Sequence, residues 1–359
     1  MKARIALENG IIFQGDCFSG SGERSGEVVF NTSLSGYQEI ITDPSYKGQI
    51  VLMTYPLIGN YGINPGDVES KKPFLEGFLV RECSRVYSNW RATQSLPDYL
   101  TENDVIGIEG FDTRALTRQI RLKGAMKAVI STENCSDQIL VKRARESKGL
   151  IGIDLVKEVT CKEPWVWSDK GKFKIVVIDC GLKLNSLRKL SERNCKVTVV
   201  PASIALDEIF KIKPDGVLLS NGPGDPSAVT YLVDTVKGLI GKVPLFGICF
   251  GHQILGQALG GRTYKLKFGH HGGNHPVKDL KTGKVSITAQ NHGFCVDINS
   301  LDCESIEVTQ VNLNDNTLEG LRHKSLPLFS VQFHPESSPG PHDAEYLFDE
   351  FISMIKSYA

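Results

Sequence analysis

The sequence predicts an α/β protein in two parts. A mostly parallel sheet flanked by helices fills the second half, and a β-rich α/β unit precedes it. Three observations carry this reading. Beyond Lys174, short β-branched runs alternate with helical stretches, the pattern of βαβ units. Glycine-rich turns fall at the carboxyl ends of those runs, where open parallel sheets place their chemistry. The first half instead shows a hairpin signal, further strands and a helix.

In chain order, residues 3–7 and 11–15 flank Glu8-Asn9-Gly10, and Asn-Gly is a strong hairpin signal. Residues 27–31 and 49–54 read as strands. Residues 112–123 read as a helix that Asp112 or Thr113 could cap, with Leu116 and Ile120 on one face. A linker is expected near residues 160–171, where Pro164-Trp-Val-Trp167 precedes a polar stretch. The expected domains are therefore 1–165 and 172–359. Strands follow at 174–179, 196–201, 216–221 and 244–248. Helices are expected at 184–192, 229–240 and 253–259.

The chain has 359 residues, enough for two cores. Lys+Arg and Asp+Glu balance at 41 each, so no basic field draws it to nucleic acid or an anionic membrane. No apolar run reaches bilayer length. Lys2, Arg4 and Glu8 interrupt the N-terminus, which is unlike a secretory signal; a cytoplasmic location is expected. Nine cysteines without C-x-x-C spacing suggest neither a disulfide framework nor a cysteine-based zinc site.

Cys249 stands out. It lies in Gly247-Ile-Cys-Phe-Gly251, between an apolar strand and a helical stretch. A reactive residue flanked by glycines at a strand-to-helix turn has the form of a nucleophile elbow. The helix start offers free N–H groups and a positive dipole end to a thiolate. A thiolate nucleophile needs a base oriented by a third group. Phe329-Ser-Val-Gln-Phe-His-Pro-Glu336 carries His334 at a strand end, with Glu336 able to accept from its far ring nitrogen. His252 is expected to pack on the helix. His270, His271 and His275 lie in a glycine-rich stretch, and no metal is expected there. The oxyanion formed at an amide carbonyl needs preorganised donors. Candidates are the Phe250 N–H and the Gly222-Pro-Gly224 turn.

Gly-Ile-Cys-Phe-Gly-His-Gln253, Asn221-Gly-Pro-Gly-Asp-Pro226 and the His-Pro-Glu336 end resemble the class I, or triad, glutamine amidotransferases. Thr42-Asp-Pro-Ser-Tyr-Lys-Gly-Gln-Ile50, Thr54-Tyr-Pro-Leu-Ile-Gly-Asn-Tyr-Gly62 and Gly110-Phe-Asp-Thr-Arg-Ala-Leu-Thr117 resemble the first domain of carbamoyl-phosphate synthetase small subunits. So do Leu266-Lys-Phe-Gly-His-His-Gly-Gly-Asn-His-Pro276 and Thr288-Ala-Gln-Asn-His-Gly-Phe294 in the second half. This likeness spans essentially the whole chain.

The resemblance implies a glutaminase with Cys249 as nucleophile, His334 as base and then acid, and Glu336 orienting it. It implies that glutamine is held by Ser45, Gly222, Gly224, Phe250, Gln253, Asn291, Gly293 and Phe294. Phe250 departs from the leucine common in the family, but its expected contribution is backbone. No G-x-x-x-x-G-K-[ST] loop is present. No cofactor is therefore expected in this chain; ATP and a divalent cation are expected on a large-subunit partner that receives the ammonia. The first domain is expected to dock that partner, giving a hetero-oligomer of small and large subunits. The rivals are a glutaminase serving GMP, anthranilate or aminodeoxychorismate synthesis, a non-enzymatic module on the same fold, and another cysteine hydrolase.

Overall fold

A computed structural model describes residues Met1–Tyr358. The chain divides into two compact units, one of residues 1–151 with 267–272, the other of residues 152–266 with 273–359.

The first unit is a closed seven-stranded barrel. In order around it run Lys2–Leu7, Ile12–Ser19, Gly107–Glu109, Gly77–Leu79, Gln49–Met53, Glu23–Asn31 and Met126–Ser131, which pairs back to the first. Lys2–Leu7 and Ile12–Ser19 form the expected antiparallel hairpin, with Ala6 opposite Ile12. Gly10 takes φ 95° in its turn, a conformation that favours glycine. The helix Thr113–Lys123 is capped by the Asp112 carboxylate, which accepts from the Ala115 N–H at 2.8 Å. Its buried Leu116 and Ile120 pack into a core with Ile5, Leu7, Val28 and Ile50.

The second unit is built on a large mixed sheet. Its centre is five parallel strands in the order Cys195–Pro201, Phe173–Asp179, Gly216–Leu219, Leu245–Ile248 and Leu328–Val331. Side chains alternate between two buried faces, as strand geometry demands. Val176, Ile178, Val217, Leu219 and Leu245 feed one core. Ile175, Val177, Leu218, Phe246 and Ile248 feed the other. Helices Leu184–Glu192 and Thr230–Leu239 connect strands of this region close to where the periodicity predicts them. Antiparallel strands Leu318–His323 and Ile306–Asn312 extend the sheet beyond Leu328–Val331. No helix among the described residues is long and apolar enough to cross a membrane.

Two boundaries differ from expectation. The stretch expected as a linker contains a strand, Trp165–Ser168, paired antiparallel to Cys195–Pro201. The Trp167 indole N–H donates to Ser191 Oγ at 2.9 Å, so a segment that looks like a spacer is held at the sheet edge. The units divide at 151/152 rather than at 165, and residues 267–272 group with the first. The second difference is the helix after Cys249. It spans Phe250–Ala258, three residues earlier than the apolar pattern suggests. Glycine in its first turn obscures the start by lowering helix propensity.

Candidate active site

Cys249 caps the helix Phe250–Ala258 in a strained conformation, φ 52° and ψ −102°. The flanking glycines make this turn possible. A Cβ at Gly247 would lie 2.7 Å from the Gly251 carbonyl oxygen, and one at Gly251 would lie 2.3 Å from the Leu219 carbonyl oxygen. The Cys249 N–H donates to the Val331 carbonyl at 2.8 Å, tying the elbow to the neighbouring strand. First-turn N–H groups have no intrahelical acceptor. Gly251 gives its own to the Ser220 carbonyl at 3.1 Å, which leaves the Phe250 N–H as the donor beside the nucleophile.

His334 lies three residues past Val331, the last residue of the strand adjacent to the elbow. Its N–H donates to the Ala289 carbonyl at 2.9 Å. Its Nδ1 is 2.7 Å from Glu336 Oε1. A carboxylate there accepts a hydrogen bond from the Nδ1–H of the neutral ring, so Nε2 carries the lone pair. That Nε2 is buried and has no hydrogen-bond partner.

Glu336 is fully buried. Burial alone would push its carboxyl up, but the Lys183 ammonium and the His334 ring outweigh this and hold it down at about 2. Lys183 Nζ is 2.9 Å from Glu336 Oε1 and also donates to the Ser337 carbonyl. The Asn185 amide donates to the Glu336 carbonyl.

Lys183 reaches this position because of how its loop is folded. The Asp179 carboxylate accepts the N–H groups of Gly181 and Leu182, both at 2.9 Å, and of Cys161 at 2.8 Å. Asn221 accepts the Lys183 N–H at 3.2 Å and donates to the Gly181 carbonyl at 2.9 Å. The turn after one strand is thus stapled to the turn after its neighbour. Gly222 sits so close to the Cys180 carbonyl that a Cβ would approach it to 2.2 Å, and Gly224 takes φ 85°.

Of the other expected residues, Asn291 and Gln253 lie beside Cys249. The Asn291 carbonyl is 3.6 Å from Cys249 Sγ. The Gln253 amide donates to the Phe294 carbonyl at 2.8 Å. A Cβ at Gly293 would meet nothing within 4 Å. Ser45 belongs to the first unit, on the short turn Pro44–Tyr46, with its N–H donating to Asp43 at 2.9 Å. His252 packs as expected: Nδ1 lies 2.9 Å from Ser330 Oγ, and burial pushes the imidazole down to about 3. Of the histidine-rich stretch, His270 and His271 group with the first unit and His275 with the second. Sequence reasoning missed Lys183, Asn185 and Gln332. Gln332 Nε2 lies 3.6 Å from Cys249 Sγ. The available signal was position: Lys183 follows the first strand of the parallel sheet, and Gln332 lies two residues before His334.

Two family models match. "Carbamoyl-phosphate synthase small chain, CPSase domain" covers residues 5–130, and "Glutamine amidotransferase class-I" covers residues 176–354. A carbamoyl phosphate synthase small chain from Syntrophotalea carbinolica is 54% identical over 99% of this chain and 98% of its own length. The chain belongs to the carbamoyl phosphate synthase small-chain family. Another such small chain, from Aquifex aeolicus, is 54% identical over 99% of both chains. The carbamoyl phosphate synthase pyrimidine-specific small chain of Bacillus subtilis is 50% identical over 99% of this chain and 97% of its own length. Because likeness to the small-chain family runs through the first unit as well, it favours that family over the glutaminases of other synthases.

Proposed function

We propose that this chain is the glutamine-hydrolysing small subunit of a carbamoyl phosphate synthase. The observation that carries the reading is the buried His334–Glu336–Lys183 array, built from the segment after the strand beside a strained cysteine elbow and from the turn after Asp179. Glu336 fixes the His334 tautomer, and His334 then takes the Cys249 proton. Cys249 Sγ attacks the side-chain amide carbon of glutamine, and the C=O π electrons move onto oxygen. The Phe250 N–H and the Gly222–Gly224 turn stabilise this oxyanion. Collapse expels ammonia, protonated by His334, and leaves a thioester. Water, deprotonated by His334, cleaves it to glutamate and restores the thiol. Gln253, Asn291, Gly293 and Phe294 hold the glutamine.

Ammonia then passes to a large-subunit partner in the cytoplasm that carries ATP and a divalent cation and consumes bicarbonate. The first unit serves as the docking surface. The test is glutamate release from glutamine by the full chain, alone and with the cognate large subunit, ATP and bicarbonate. Stimulated release, carbamoyl phosphate formation and loss of both in Cys249→Ser support the reading. Glutaminase activity without stimulation points to another synthase, and no turnover in either setting overturns the assignment.

A further inference from the structure

We propose that Gln332 is a positioning residue for the nucleophile: its amide N–H group holds Cys249 as the thiolate. The inference rests on the glutaminase reading above, because it concerns how that reading's nucleophile is activated.

Gln332 lies one residue beyond the strand Leu328–Val331 and is completely buried. Its N–H donates to the Glu319 carbonyl at 2.8 Å, which fixes the backbone. The orientation of its side chain follows from a chain of constraints. The Phe294 carbonyl can only accept, so the Gln253 group 2.8 Å from it must be the amide nitrogen. That same nitrogen lies 3.1 Å from the Gln332 side chain, which must therefore present its oxygen. The other end of the Gln332 amide is then nitrogen, and it lies 3.6 Å from Cys249 Sγ. One backbone carbonyl thus sets two side-chain amides and delivers an N–H to the sulfur.

The sulfur also lies 3.6 Å from the Asn291 carbonyl. A thiol satisfies that carbonyl by donating to it. A thiolate has no proton to give and is repelled by it, whereas the Gln332 N–H contact becomes charge-assisted and stronger. Gln332 therefore opposes Asn291, and its donor favours the ionised nucleophile. There is a second consequence. Both N–H groups of Gln253 are spent, on Phe294 and Gln332, so toward a ligand Gln253 can act only as an acceptor.

The test is the pH dependence of Cys249 alkylation by iodoacetamide in the full chain, followed on the Cys249 peptide by mass spectrometry. Gln332→Met keeps the side-chain length and removes the donor. Its inflexion should rise by about one pH unit, which is about tenfold less thiolate at neutral pH. Glutaminase kcat/KM should fall in parallel and recover at alkaline pH. Gln253→Glu, which cannot donate to Gln332, should shift the inflexion in the same direction and decides the matter if Gln332→Met does not fold. A merely structural role would lower the melting temperature but leave the inflexion where it is. An unmoved inflexion in the folded variant overturns the proposal. Survival of glutaminase activity in Cys249→Ser would instead remove the underlying reading, and the two failures are distinct.

Discussion

Lys183 Nζ lies 2.9 Å from Glu336 Oε1, and both side chains are buried. Glu336 therefore meets two donors through one oxygen, the ammonium of Lys183 and the Nδ1–H of His334. The lysine keeps the carboxylate ionised in a place where burial would otherwise favour the acid. An ionised Glu336 is what holds the His334 ring in the tautomer a base requires.

Removing Lys183 should be costly. Lys183→Met leaves Glu336 as a buried charge stripped of its main counter-charge, and breaking such a pair typically costs about 3–5 kcal/mol. Urea unfolding of the variant against wild type measures this. Adding Glu336→Gln to Lys183→Met should restore part of the loss, because the two sites share one interaction.

Acid should destabilise the chain in two overlapping windows. His252 is held low at about 3, against an ordinary histidine value of 6.5, so its contribution is full above 6.5 and drains as pH falls toward 3. Glu336 is held low at about 2, against 4.5, so its contribution is full above 4.5 and drains as pH falls toward 2. Unfolding free energy measured across these ranges should fall less steeply for His252→Asn in the first window. It should fall less steeply for Glu336→Gln in the second.

The two histidines should separate kinetically as well. His334→Asn removes the base and should cost about 10²–10⁴ in glutaminase kcat. His252→Asn touches a ring that bonds Ser330 and should leave the acid limb of the rate profile in place. Steady-state glutamate release across pH distinguishes them.

Glycine substitutions should sort by space. Gly251→Ala forces a methyl to 2.3 Å from the Leu219 carbonyl, a backbone atom that cannot swing away. It should destabilise by about 1–3 kcal/mol and displace the elbow. Gly293→Ala meets open space and should fold like wild type. Thermal unfolding of both variants checks the contrast.

Much of this was legible in the chain. The parallel strands announced themselves because strands buried on both faces are almost continuously apolar. Cys249 and His334 were legible because each closes such a run. Lys183 was not, since only its place after a strand sets it apart from the other basic residues. Its role appears only when the turn after Asp179 is folded back against the His-Pro-Glu segment. Gln332 was hidden for a similar reason: its meaning depends on which way two amides point, and Phe294, remote in the chain from both, decides that. The strand at Trp165–Ser168 was missed because proline and polar neighbours disguise a segment whose pairing partner is remote.

The first unit borrows residues 267–272 from far along the chain. The Lys267 carbonyl receives the Ala125 N–H at 2.7 Å, the His271 carbonyl receives the Thr32 N–H at 3.2 Å, and the Phe268 ring stands 5.8 Å from Phe30. A gene cut after codon 151 would therefore encode all seven barrel strands but not the segment that packs on them. Its product would expose two orphaned amides and half an aromatic pair, and a supplied peptide carrying 267–272 would be its natural patch. The protein has two bodies but one indivisible reading frame.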